Sequence, residues 1–297
     1  IGRSVGSAEK AIRFGAAGVI AGHYDVVVAG GVEVMSRVPL GANIAGGGDP
    51  FGGVGFTGRY STWPNQGLGA EMIAAQWGLS RTQLDEYSAA SHEKAAAAQD
   101  AGAVARQIVS VQTGTGVFSE DEGIRRGTTA EKLAGLKSAF KEDGVIHAGN
   151  ASQISDGAAA LLITTSELAA ANGLRPPVRV HTAVLAGADP VIMLTAPIPA
   201  TRKALAKSGL TVDQIGAFEV NEAFAPVPLA WLIEVGADPK ALNALGGAIA
   251  LGHPLGGSGA RLSTTLIHHM RDNGIRYGLQ TMCEGGGQAN ATIFELL

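Results

Sequence analysis

Glycine is the feature that most limits what this chain can become: 43 of its 297 residues are Gly, about twice the usual share, while aromatics make up only 5%. A chain built this way fills its interior with small side chains and brings backbones close together. The apolar fraction is 46%, the charged fraction 16% and the net charge -4. Disorder goes with low hydrophobicity and high net charge, and neither holds here. Sparse, nearly balanced charge argues against a nucleic-acid footprint or a polybasic membrane patch, leaving room for a local basic patch that meets a phosphorylated ligand. No apolar run is long enough for a membrane-spanning helix. The single cysteine, Cys283, excludes an intrachain disulfide and an all-cysteine metal site, and favours a reducing compartment, read as the cytoplasm.

The order of elements points to a layered α/β sheet. Apolar positions Ala11, Ile12, Phe14, Ala16, Val19 and Ile20 recur at helical spacing over residues 7–21. Residues 25–29 read as a strand buried on both faces, closed by Gly30-Gly31, with residues 32–35 as a second extended piece. The same order returns near the other end, where a helix over residues 258–270 leads to strands over 277–282 and 289–296. Gly6 lies 19 residues before Asp25 and Gly257 lies 19 before Arg276, which suggests two related halves. Between them, residues 36–148 look like an excursion able to cover a ligand. It includes a glycine-rich loop, a helix over 81–101 with Ser80 and Gln83 as a capping box, and an extended stretch at 108–112. The chain then resumes with strands over 158–163, 178–184 and 217–220, the last delivering Asn221-Glu222-Ala223-Phe224 at its carboxyl end, where open α/β sheets bind ligands. The opening IGRSVGSAEK has no initiator Met and no signal peptide, and reads either as a processed terminus or as a chain lacking upstream strands.

Few side chains are reactive. Cys283 follows a strand and precedes Glu284-Gly285-Gly286-Gly287, where glycines admit a substrate to backbone N–H groups; it is either a small buried hydrophobe or an acid/base thiol. His253, held extended by Pro254 among dense glycines, is either a turn histidine or a general base or oxyanion donor. Asn221 is either a helix cap or a polar group at a ligand site. The other histidines, His23, His92, His147, His181, His268 and His269, lack such glycine flanks and read as structural or solvated. There is no dinucleotide fingerprint, nucleophile elbow or lysine-bearing phosphate loop.

Three blocks together closely resemble the signature blocks of the thiolase family: NEAF at 221–224, GGAIALGHPLGGSGAR at 246–261 and CEGGGQA at 283–289. The stretch from Arg125 to Asp156 also resembles the thiolase region leading into its coenzyme A contacts. The resemblance spans essentially the whole chain but begins well inside a typical thiolase. It implies a five-layered α-β-α-β-α fold of two similar halves with an inserted loop domain: residues 1–35 as the rest of the first half, 36–148 as the loop domain and the return to that half, and 149–297 as the second half. By similarity the chain is an acyl-CoA C-acyltransferase that cleaves 3-ketoacyl-CoA with CoA, or runs the reverse condensation. His253 would activate the nucleophile and polarise the thioester oxygen, Asn221 would orient a water in the same oxyanion hole, and Cys283 would act as acid/base. The Gly285 N–H would serve a second oxyanion hole. Arg125 and Ser152 match positions that meet coenzyme A, which is substrate and not a permanently bound cofactor. Homodimers or homotetramers are implied, with no nucleic-acid partner and no metal.

One essential position departs from the pattern. Thiolases carry the acylated cysteine in a Cys-Gly-Ser or Cys-Ala-Ser block at the start of a helix; the matching segment here reads Arg3-Ser4-Val5-Gly6-Ser7-Ala8, so Val5 stands at the nucleophile position. Valine forms no thioester. A catalytically impaired, acyl-CoA-binding or scaffold protein is therefore the alternative. The loop-domain histidine frequent in the family is also lacking in Pro64-Asn65-Gln66-Gly67-Leu68-Gly69.

Overall fold

A computed structural model describes residues 5–48, 52–60 and 62–297. Residues 1–4 lie outside the described residues, and with them Arg3 and Ser4 of the RSVGSA stretch. In chain order the elements are α1 (Ser7–Ile20), β1 (Val26–Val34), α2 (Val54–Thr57), α3 (Gln66–Gln76), α4 (Arg81–Asp100), β2 (Val111–Thr113), β3 (Gly116–Phe118), α5 (Ala130–Ala134) and β4 (Asp156–Thr164). They continue with α6 (Ser166–Ala171), β5 (Val178–Gly187), α7 (Pro197–Ser208), β6 (Ala217–Val220), α8 (Pro226–Val235), α9 (Ala248–Leu251), α10 (Ser258–Asn273), β7 (Tyr277–Glu284) and β8 (Gln288–Leu296). No helix among the described residues is long and apolar enough to cross a membrane.

Two sheets sandwich a helix pair. One has the order β5-β8-β7-β6, with β6 and β7 parallel and the other pairs antiparallel. The other is the antiparallel pair β1-β4. Helices α1 and α10 pack on each other between the sheets, while α7 covers β5, β8 and β7 from the far side. Small residues make this layering possible. A Cβ on Gly15 of α1 would sit 2.8 Å from Val27 Cγ1, and one on Gly259 of α10 would sit 2.3 Å from the backbone N of Glu9. The central strands β7 and β8 are buried along nearly their whole length, as strands covered on both faces must be. The helix-then-strand order α1-β1 and α10-β7, each strand with an antiparallel neighbour, repeats as the spacing suggested.

β1 departs from the sequence expectation in two ways. It is one strand running straight through Gly30-Gly31, because a Cβ on Gly31 would lie 2.0 Å from Gly256 O; the double glycine is a point of close backbone approach rather than a stop. It is also not buried on both faces. Val27 and Ala29 face α1, whereas Val28 is 72% exposed and Val32 62%, with Leu162 of β4 exposed beside them. An apolar run sets strand propensity; burial depends on what covers each face, and nothing among the described residues covers this one. β4 lies across the excursion in sequence, yet pairs with β1 over nine residues, so the β1-β4 sheet takes its second strand from the far side of that insertion.

The excursion contributes α2 to α5 and the β2-β3 hairpin. Residues 108–110 stay outside the strand, which is limited to Val111–Thr113. Ser80 and Gln83 form the expected capping box: Ser80 N–H donates to Gln83 Oε1 at 2.8 Å and Gln83 N–H to Ser80 Oγ at 3.3 Å.

Candidate active site

The site forms where the carboxyl ends of the parallel strands β6 and β7 meet. Their register pairs Val220 with Thr281, and Asn221 N–H donates to Thr281 O at 3.1 Å, so Asn221 and Cys283 leave neighbouring strands on the same edge. Asn221 is not a helix cap. The next helix, α8, starts at Pro226 with Ala225 as its N-cap. The Asn221 side chain instead reaches His253, with Nδ2 3.2 Å from Nε2. Its Oδ1 is buried with no partner among the described residues. Cys283 packs in one cluster with Ala223, Phe224, Met193 and Ile249, bringing the NEAF block, the CEGGG block and the turn before His253 together.

His253 is held from three sides. Gly252 precedes it at φ +86, where a Cβ would lie 2.0 Å from Ser155 Oγ, so only glycine makes this turn without strain. His253 N–H donates to Gln153 O at 3.1 Å. Its Nδ1 is 2.6 Å from Ser258 Oγ, and that hydroxyl donates its single proton to Pro254 O at 2.9 Å. With that proton given to Pro254 O the hydroxyl accepts at Nδ1, an assignment that puts the ring proton on Nδ1 and the Nε2 lone pair toward the Asn221 amide. Burial, reinforced by the Arg261 charge, pushes His253 down to about 3, so the ring is neutral at pH 7. The arrangement suits a base at Nε2 that becomes a hydrogen-bond donor once it has taken a proton. Ser258 lies inside the glycine-rich block, but its part in selecting the tautomer is not readable from spacing alone.

Cys283 is buried, and burial pushes its thiol up to about 12, so it is protonated at neutral pH. The turn after it runs through Gly286 and Gly287, both at positive φ, with Gly285 half-buried at its start. Val5 is brought to this edge: its neighbour Gly6, the N-cap of α1, lies so close to Glu284 that a Cβ would fall 2.3 Å from the carboxyl carbon. Val5 has φ +94, a costly conformation for a β-branched residue. The strained turn at the helix start is present, and its side chain carries no nucleophile.

Ser152 and Arg125 are placed on linked segments. Ser152 N–H donates to Ala223 O at 2.9 Å, and Gln153 Nε2 donates to Gly123 O at 2.7 Å, tying the 123–125 loop to the strand beside NEAF. Arg125 is exposed, with its backbone N–H donating to His92 Nδ1 at 3.1 Å.

Beneath the site, buried Glu219 is pushed up to about 8, chiefly by burial, with Arg261 opposing. A folded-state value above the unfolded 4.5 means that the folded protein holds the proton more tightly. Its stabilising contribution is fully present below pH 4.5 and is lost as pH rises to about 8. Glu219→Gln removes this dependence. The difference in unfolding free energy, variant minus native, is expected to grow in the variant's favour between pH 5 and pH 8 by an amount on the order of a few kcal/mol, read as a widening gap between the two melting temperatures. Parallel melting curves across that range would refute it.

With this geometry in place, the family is clear from comparison. The thiolase N-terminal domain profile matches residues 1–167 and the thiolase C-terminal domain profile matches residues 174–296. The chain belongs to the thiolase family, and its fold is the thiolase fold. Among relatives, it is 48% identical over 305 residues to the steroid 3-ketoacyl-CoA thiolase FadA6 of Mycobacterium tuberculosis, covering 100% of this chain and 74% of that protein. It is 42% identical to an acetyl-CoA acetyltransferase of Rhizobium meliloti, covering 98% of this chain and 77% of that one. The crystal structure of human mitochondrial 3-ketoacyl-CoA thiolase in complex with CoA superposes with a TM-score of 0.89 at 34% identity, covering 100% of this chain and 77% of that one.

Proposed function

We propose that this chain acts on acyl-CoA thioesters as a thiolase, cleaving a 3-ketoacyl-CoA with CoA to acetyl-CoA and a shortened acyl-CoA, or running the reverse condensation. The observation that carries this reading is His253 with Nε2 3.2 Å from the Asn221 amide nitrogen and Nδ1 2.6 Å from Ser258 Oγ. Its setting at the carboxyl ends of β6 and β7, beside Cys283, supports it. In this reading His253 takes the proton of the CoA thiol, which attacks the 3-keto carbon; the bond to the alpha carbon breaks to form the new acyl-CoA, and Nε2–H then donates to the thioester oxygen of the departing acetyl-CoA enolate. Asn221 shares that oxyanion hole, its Oδ1, which has no partner among the described residues, accepting from an ordered water. Cys283, a thiol at neutral pH, exchanges a proton with the substrate alpha carbon or the leaving thiolate, and the Gly285 N–H supports the second oxyanion. Coenzyme A enters along Ser152 and Arg125 as substrate, with no permanently bound cofactor.

Val5 favours a second reading, an acyl-CoA-binding thiolase that has lost the covalent step. Calorimetry with CoA and a nonhydrolysable acyl-CoA, run beside cleavage assays on acetoacetyl-CoA and longer 3-ketoacyl-CoAs, separates the two. Cleavage at any chain length establishes the first; saturable binding without cleavage establishes the second; absence of heat with every ligand defeats both. Where cleavage is measured, His253→Ala is expected to lower kcat by roughly 10²–10⁴, the usual contribution of a positioned general base.

The exposed apolar face of β1-β4 supports self-association into a homodimer or homotetramer, and a stable interface of that kind buries at least about 2000 Å². Light scattering is expected to show an oligomer at micromolar concentration; a monomer at every concentration would refute it. The lone thiol and the acyl-CoA substrate fit a cytoplasmic setting.

A further inference from the structure

Glu222 is 1% exposed, and its carboxylate is a junction of four segments. Oε1 accepts from Tyr87 Oη at 2.8 Å and Asn243 Nδ2 at 3.0 Å; Oε2 accepts from Ser91 Oγ at 2.7 Å and Ile249 N–H at 3.0 Å. Ser91 Oγ in turn accepts from Gly247 N–H at 3.1 Å. The backbone wraps closely around this group: a Cβ on Gly247 would lie 2.3 Å from Glu222 Cδ. Tyr87 and Ser91 come from α4, Asn243 from the loop before α9, and Ile249 from α9 itself.

We infer that Glu222 is a positioning residue for the Asn221–His253 pair. It adjoins Asn221 in the chain, and through Ile249 it holds the short turn that ends at His253. Slack between Ile249 and His253 is small, because Gly252 is pressed against Ser155 and Pro254 restricts His253. Moving the α9 turn relative to β6 therefore changes the 3.2 Å contact between Asn221 Nδ2 and His253 Nε2. Glutamine at 222 keeps the shape but turns an amide NH₂ toward two donors, so the four-donor arrangement cannot persist. Glu219, a buried carboxyl on the same strand with one oxygen lacking a partner among the described residues, has no such grip on α9. The inference rests on the catalytic reading of Asn221 and His253 and assigns what holds them in register.

The test follows the imidazole nitrogens of ¹⁵N-histidine-labelled protein by NMR, with the His253 signals assigned by their loss in His253→Asn. Native protein is expected to show His253 as the single Nδ1–H tautomer. Glu222→Gln and Ser91→Ala are each expected to shift the Nε2 signal away from the unprotonated position, while Glu219→Gln leaves it in place. If Glu222→Gln does not fold, Ser91→Ala and Tyr87→Phe decide. A His253 spectrum unchanged in the folded variants overturns the inference, whatever their melting temperatures. A spectrum that shifts as expected in a protein with no CoA-dependent cleavage, even after a cysteine is placed at position 5, leaves the positioning role standing and defeats the catalytic reading instead.

Discussion

Val5→Cys is expected to give a protein that forms an acyl-enzyme when mixed with acetyl-CoA, where the native chain forms none. The backbone supports this expectation. Val5 sits at φ +94 immediately before α1, a helix of 14 residues, with Gly6 held against Glu284. Removing the β-branch relieves part of the strain of that conformation, so the substitution is expected to be neutral or stabilising. The helix N-terminus favours a thiolate at this place, and the nearby Glu284 carboxyl opposes it. Cys283 is not expected to substitute. Its thiol, held at about 12 by burial, lies within the last residues of β7 and lacks the helix-start position.

Adding Cys283→Ala to Val5→Cys is then expected to spare the first acylation and impair the proton-transfer step. Mass spectrometry after mixing with acetyl-CoA reads the result directly. An acetyl adduct on Cys283 of the native chain, together with full steady-state thiolysis, would show that the nucleophile has been assigned to the wrong residue. An adduct that appears only with the cysteine at position 5 would place the defect in one side chain.

Features encoded locally were legible in the sequence. The Ser80–Gln83 capping box needs only residues three apart, and the start of α10 follows from the glycine-serine block that opens it. Cys283 and His253 stood out because glycines flank them. Features set by distant contacts were not legible. α8, with the sequence PVPLAWLIEV, is apolar nearly all round and has prolines in its first turn, so it offers no amphipathic period. Val28 and Val32 look like core residues in a strand, but a strand's sequence does not say which of its faces will be covered. Glu222 is the clearest case at the site: beside Asn221 it reads as part of a cap, and its role appears only when α4, more than a hundred residues earlier, supplies Tyr87 and Ser91.

A large loss of stability is expected from Gly259→Ala. Its Cβ would lie 2.3 Å from Glu9 N, 2.4 Å from Glu9 Cβ and 2.8 Å from Glu9 Cα, and the backbone atoms among these cannot rotate away. Relief requires α1 and α10 to part, which opens the helix layer between the two sheets. Overpacking of this kind costs about 1–3 kcal/mol and more where backbone must move, so a fall in melting temperature of several degrees is expected. Gly274→Ala is the comparison. It lies at φ +63 with nothing within 4 Å of a built Cβ, and its cost is confined to local left-handed strain of about 1–2 kcal/mol. The functional consequence separates them further. Moving α1 also moves the Val5–Gly6 turn away from Glu284, so Gly259→Ala in the Val5→Cys protein is expected to abolish acyl-enzyme formation, while Gly274→Ala in the same background leaves it intact. Equal melting temperatures and equal adduct yields in the two variants would mean that the α1–α10 contact does not hold the Val5–Gly6 turn in place.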